Sequence, residues 1–217
     1  LTRAAVHTYY MTQFDEARNR MLIVGGGGMY SGSLPPYPAD WPWPTGVEGG
    51  VIMAFSLDTN EWLHPNTLSQ MPTPGNSTPS SVCTDPASGY IYRLGNGSYG
   101  MRRYDPSEDV WSSIGVSGMS GGYCGMAVDP ARKKILQVGG YNIDTDPKVF
   151  DIATGSDAGV TFSGLGPTAL RDNVHPGVVY DEANDCFLVI LGGCFASTGI
   201  TAPPNDTAKV LRVDPVT

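Results

Sequence analysis

The side chains best suited to chemistry in this sequence are aromatic and set among prolines. Between Met29 and Gly50 stand Tyr30, Tyr37, Trp41 and Trp43, interleaved with Pro35, Pro36, Pro38, Pro42 and Pro44. A second stretch, Cys194 to Ala208, holds Phe195, Pro203, Pro204 and Asn205. Aromatic rings on a proline-stiffened chain stack on sugar rings or on a partner's side chains, because little rotamer or backbone entropy is lost on binding. The competing use of Trp41 and Trp43 is a local hydrophobic plug. Arg3 with His7, and Arg171 with His175, form two similar pairs that suit a carboxylate or sugar ligand. For the arginines the alternative is a structural ion pair between repeats. For the histidines it is a buried neutral imidazole.

Other chemistry leaves no trace. The sequence has no Walker loop, no G-x-S-x-G and no H-E-x-x-H. Gly25 to Gly28 follow an apolar strand, but no helical pattern comes after them to cradle a phosphate. Asp144-Thr145-Asp146 begins like a calcium loop, yet the twelfth position of that frame is Gly155 and the sixth is Val149. Cys83, Cys124, Cys186 and Cys194 include no C-x-x-C pair and read as small core residues. No cofactor and no metal is implied.

The elements that position these side chains come from an internal repeat. Asp-(Pro/Glu)-Ala occurs at Asp15, Asp85, Asp129 and Asp181. Each copy lies between two apolar or β-branched stretches, and the second stretch runs into glycine at Gly25, Gly95, Gly139 and Gly192. Asp starts a turn by accepting hydrogen bonds from backbone amides ahead of it, and β-branched and aromatic runs on both sides favour strands. Each unit therefore opens with a β-hairpin. A third strand then ends at Asp58, Asp105, Asp151 and Asp214, and Trp62 and Trp111 after the first two of these mark a fourth, outer strand. Four short strands per unit, repeated with variable loops, predict an all-β chain: a β-propeller of four-stranded antiparallel blades, with about four blades over residues 1–75, 76–118, 119–168 and 169–217.

A strand, a Gly-Gly doublet (Gly25-Gly26, Gly139-Gly140, Gly192-Gly193), a Tyr-Asp turn (Tyr104-Asp105) and a Trp resemble the kelch-repeat family, as do the Arg and His before the first strand of two units. The resemblance covers nearly the whole chain. It departs from the pattern in the second unit, which lacks the doublet, and after Asp151 and Asp214, where no Trp follows. It implies a propeller of six or seven blades, so the chain is expected to be part of a larger ring whose last blade here lacks its outer strand. The alternative is a compact four-bladed ring. The galactose-oxidase-like propellers of this family carry a copper site that needs two His and tyrosyl ligands. With only His7, His64 and His175 in the chain, no such set can be placed.

From the first glycine to the third-strand Asp the units measure 33, 10, 12 and 22 residues, so units one and four carry long insertions at the same hairpin and hence on one face of the disc. Strands alternate direction, which brings Arg3, His7, Arg171 and His175 to that face too. The leading reading is non-catalytic recognition of a protein or glycan there. Two others remain: a structural part of a virion or surface assembly, associating with other chains, and the propeller of an oxidase-like enzyme completed by further sequence. Thirteen Lys+Arg against 21 Asp+Glu give a net charge of −8, which disfavours nucleic acid as a partner. The longest apolar run, Phe187 to Leu191, is far below the roughly 20 residues of a membrane-spanning helix, so no membrane insertion is expected. Sequons at Asn76, Asn96 and Asn205 permit an extracellular or virion-associated setting.

Overall fold

A computed structural model describes residues 12–24, 52–63, 68–69, 81–94, 100–115, 124–139, 147–163, 176–191 and 209–215. Their regular structure is almost wholly β, in four antiparallel sheets built from consecutive strands. Blade one comprises β1 (Thr12–Asp15), β2 (Arg20–Val24), β3 (Ile52–Ser56) and β4 (Glu61–Trp62). Blade two comprises β5 (Val82–Thr84), β6 (Ile91–Leu94), β7 (Met101–Asp105) and β8 (Val110–Gly115). Blade three comprises β9 (Gly125–Asp129), β10 (Lys134–Val138), β11 (Lys148–Asp151) and β12 (Ser156–Asp157). Blade four shows β13 (Gly177–Asp181), β14 (Cys186–Leu191) and β15 (Lys209–Val213) among the described residues. In each sheet the strands lie in sequence order, and the first strands β1, β5, β9 and β13 adjoin one another in turn. The described residues form a β-propeller arrangement of four blades.

One local device builds the turns. A side-chain oxygen at or just after the strand end accepts from the backbone two or three residues ahead, the residue four ahead adopts a left-handed conformation, and the next strand opens five or six residues ahead. At Asp85 the carboxylate accepts from Ala87 N at 2.9 Å, and Gly89 has φ +73°. At Asp129 it accepts from Ala131 N and Arg132 N, both at 3.0 Å, and Lys133 has φ +53°. Asp181 repeats this with Ala183 N and Asn184 N, ending at Asp185 (φ +48°), and Asp151 does so with Ala153 N and Thr154 N, ending at Gly155. At Asp15 the same span tightens into a 3-10 turn, Glu16–Arg18, closed by Asn19 at φ +43°.

Blade one corrects the sequence reading in one respect. Its third strand ends at Ser56, not Asp58, and the Ser56 hydroxyl accepts from Thr59 N at 3.2 Å. The pairing of Ser56 with Glu61 leaves four turn residues, and the left-handed position falls on Asn60. Asp58 is thereby the second turn residue and accepts from Asn19 Nδ2 at 2.6 Å instead.

The core lies between blades. Leu22, Val24, Ile52 and Ala54 of blade one pack with Val82, Ile91 and Tyr104 of blade two. Tyr92, Leu94 and Met101 of blade two pack with Met126, Ile135 and Phe150 of blade three. Leu136 and Val138 of blade three pack with Phe187, Val189 and Leu191 of blade four. Blades two and three thus bury both faces in alternation along their strands. Cys83, Cys124 and Cys186 are buried free thiols in keeping with the sequence reading, while Cys194 lies outside the described residues. Outer-strand tryptophans pack on the third strand: Trp62 meets Phe55 edge-on at 5.3 Å and Trp111 meets Tyr104 at 5.1 Å.

Candidate functional site

The two ends of the disc are built differently. All the four-residue turns lie at one end, where first strand meets second and third meets fourth. At the other end the second strands hand over to the third. Val24 pairs with Ile52 there, and Leu191 with Lys209, so residues 25–51 and 192–208 leave and re-enter at that same end. The eight residues singled out in the sequence, Arg3, His7, Tyr30, Tyr37, Trp41, Trp43, Arg171 and His175, lie outside the described residues.

At the turn end, charged side chains bridge neighbouring blades. Arg132 of blade three reaches Asp185 of blade four with Nη1 to Oδ1 and Nη2 to Oδ2, both 2.6 Å, and its Nη1 also contacts the buried Asp129 at 2.9 Å. The Tyr180 hydroxyl donates to the same Asp185 at 2.5 Å. Hydrogen bonds from Arg132 and then Tyr180 hold the Asp185 carboxyl far below the usual carboxylate range, and Tyr180 is pushed up to about 12, chiefly by its bond to Asp185. The seam between blades one and two repeats the arrangement. Arg20 donates Nε to Asp15 at 2.7 Å and lies 3.4 Å from the Tyr104 hydroxyl, which in turn donates to Asp109. Burial, followed by the Asp109 hydrogen bond, raises the Tyr104 phenol well above its ordinary value.

Sequence reading missed this clasp, although its signal is present: Tyr104-Asp105 with Asp109, and Tyr180-Asp181 with Asp185, share the spacing Tyr-Asp-x-x-x-Asp. The first Asp caps the turn. The second sits at the left-handed position, where its carboxylate swings back to the tyrosine. At the seam between blades two and three, Lys133 Nζ meets the buried Asp85 at 3.2 Å instead.

Along the axis the first strands border an open cavity of about 610 Å³, lined by residues of β1, β5, β9 and β13 and of the turns that follow β5 and β13. Its wall mixes alkyl groups, from Val82, Met126, Ala127, Val128, Val178 and Val179, with polar ones that include Thr12, Gln13, Thr84 and Glu182. Thr84 Oγ1 donates to Gln13 Oε1 at 2.5 Å, an amide oxygen that takes no proton at neutral pH. Cys83 also lines the cavity, and burial raises its thiol far above the ordinary range. The described wall pairs no nucleophile with a base.

No protein-family model and no curated protein matches the chain. Among solved structures, a chain in the crystal structure of a nidogen/laminin complex is similar at a TM-score of 0.50 and 11% identity, over 83% of this chain and 56% of that chain. At that identity the likeness is one of fold, and the chain spans about half the length of the one it matches.

Proposed function

We propose that this propeller is of the kelch type and serves as a non-catalytic binding module, recognising a protein or a glycan at the end of the disc opposite its tight turns. The observation that carries this reading is the segregation of the connections. Tight turns close one end, while the two longest connections within a blade are anchored at the other, at Val24 and Ile52 and at Leu191 and Lys209. Connections longer than a tight turn requires suit recognition. In this reading Tyr30, Tyr37, Trp41 and Trp43 supply stacking surfaces, and Arg3, His7, Arg171 and His175 supply cationic or polar contacts to carboxylates or hydroxyls. A title naming a complex of two proteins for the similar solved structure is in keeping with a protein partner.

The test compares the chain with its W41A/W43A variant on a glycan array and against protein fractions by affinity capture, each with a thermal melt as the folding control. The reading expects a ligand held by the unaltered chain and lost by the variant at an unchanged melting temperature. Equal binding by both overturns it.

A further inference from the structure

Across blade two runs a row of direct cross-strand partners: Val82 on β5, Arg93 on β6, Arg102 on β7 and Ser113 on β8. Partners in register share one face of a sheet, and Val82 sets this face against blade one, in the cluster that holds Val24 and Ile52. The row lies toward the end of the disc where residues 25–51 leave blade one at Val24 and return at Ile52. Two guanidiniums therefore stand side by side at the root of the longer insertion.

Like charges on neighbouring strands oppose each other, and elsewhere in the described residues arginines meet carboxylates. Arg18 and Arg20 meet Asp15, Arg132 meets Asp129 and Asp185, and Arg212 meets Asp214. Blade three neutralises the equivalent position. There Lys148 pairs with Gln137 as Arg102 pairs with Arg93, and Lys148 reaches Asp157 of the outer strand at 3.7 Å. In blade two the residue that corresponds to Asp157 is Trp111, whose indole packs on Tyr104 and donates to the Ser69 carbonyl. Arg93 is 2% exposed and has contacts of its own within the fold; burial, followed by Arg102, lowers its guanidinium to about 10, which leaves it charged at neutral pH. Arg102 is half-buried and meets no carboxylate among the described residues.

We propose that Arg102 anchors the carboxylate of an acidic sugar, a uronic acid residue of a glycan, at the end of the disc that carries the long connections. The proposal deepens the reading of that end as a recognition surface and rests on it. A planar guanidinium matches a carboxylate with two parallel hydrogen bonds, and the bound anion offsets the repulsion between Arg102 and Arg93. Ser113, exposed and directly opposite Arg102, sets a hydroxyl beside the guanidinium, as suits a ring that bears hydroxyl and carboxylate groups together. A glutamate side chain would answer the guanidinium alone and leave that hydroxyl to water.

Fluorescence anisotropy with labelled trigalacturonate tests this, with a labelled, amidated triglutamate peptide as the second probe. The unaltered chain is expected to hold trigalacturonate, R102Q to weaken it about tenfold or more, R102K to fall between, and R18Q, which removes the same charge at the turn end, to match the unaltered chain. R102Q should melt no lower than the unaltered chain, because it removes a like charge beside Arg93. A clear drop in its melting temperature would assign Arg102 to the fold and overturn the proposal. So would no binding of trigalacturonate by the unaltered chain, equal binding by R102Q, an equal loss in R18Q, or tighter binding of triglutamate. The W41A/W43A variant separates this proposal from the reading beneath it. Loss of trigalacturonate in that variant with retention in R102Q leaves the recognition surface standing and overturns the Arg102 anchor, whereas loss in R102Q with retention in W41A/W43A upholds the anchor and removes the two tryptophans.

Discussion

Arg132 and Asp185, 53 positions apart in the chain, face each other across the seam between blades three and four with two parallel hydrogen bonds of 2.6 Å each. The fork geometry of guanidinium on carboxylate gives this seam an orientation that apolar packing alone does not specify. Arg132→Ala is expected to lower the urea midpoint more than Asp185→Ala, because Arg132 also neutralises Asp129, which is 1% exposed and would be left buried beside no cation. Arg132→Lys recovers only part of the loss, since an ammonium cannot make both bonds. In the equivalent clasp, Tyr104→Phe removes the buried hydroxyl that donates to Asp109 and is expected to cost about 1–2 kcal/mol. Equal midpoints for Arg132→Ala and the unaltered chain would refute the seam role.

Acid should weaken the fold. Asp185, Asp151, Asp181 and Asp105 are all held below the usual carboxylate range, with Arg132, Lys134, Asn184 and Ser107 as the first causes. A carboxyl depressed in the folded state contributes stability that is complete above its unfolded pKa of about 3.9 and is lost as pH falls toward the folded value. Melting temperature measured from neutral pH downward should therefore drop through the carboxylate range. Asp185→Asn should be less stable than the unaltered chain at neutral pH and approach it at low pH. A constant gap across the range would count against the linkage.

Close approach at the axis makes Gly125 intolerant of a side chain. A Cβ there would lie 2.3 Å from the Pro176 carbonyl oxygen and 2.6 Å from Val178 Cγ2, both in blade four. Backbone cannot yield as a flexible side chain can, so Gly125→Ala is expected to cost about 1–3 kcal/mol through overpacking. Gly159→Ala is a contrasting case, because a Cβ there meets nothing within 4 Å and the cost is only that of its φ of +64°. Denaturant titration of both variants distinguishes a seam effect from a turn effect.

The buried thiols should be inert until the fold opens. Burial pushes Cys124 up to about 11 and Cys83 higher still, and Cys186 is buried as well. Alkylation at mildly alkaline pH followed by peptide mapping is expected to leave Cys83, Cys124 and Cys186 unmodified in the native chain and to label all three in denaturant. Rapid native labelling of Cys83 would mean that the axial cavity admits the reagent to its thiol.

The sequence by itself determined the strands, the turns and their fourfold repetition. Those features are local: an Asp that caps amides two and three residues ahead, a left-handed residue at the fourth, and β-branched runs on either side all act within a single hairpin. Even the exception at Ser56 arises within one turn, where the hydroxyl of Ser56 takes the capping place that Asp58 was expected to fill. The candidate binding residues were legible as types and spacings only, and they lie outside the described residues. Tertiary structure alone decided which face of each blade meets which neighbour. Both faces of a blade are apolar in alternation, so the pattern along one strand cannot say whether Ile190 is buried like Val24 or exposed. The clasp likewise joins Arg132 to Asp185 only after two hairpins have been stacked side by side, a contact that no local spacing encodes.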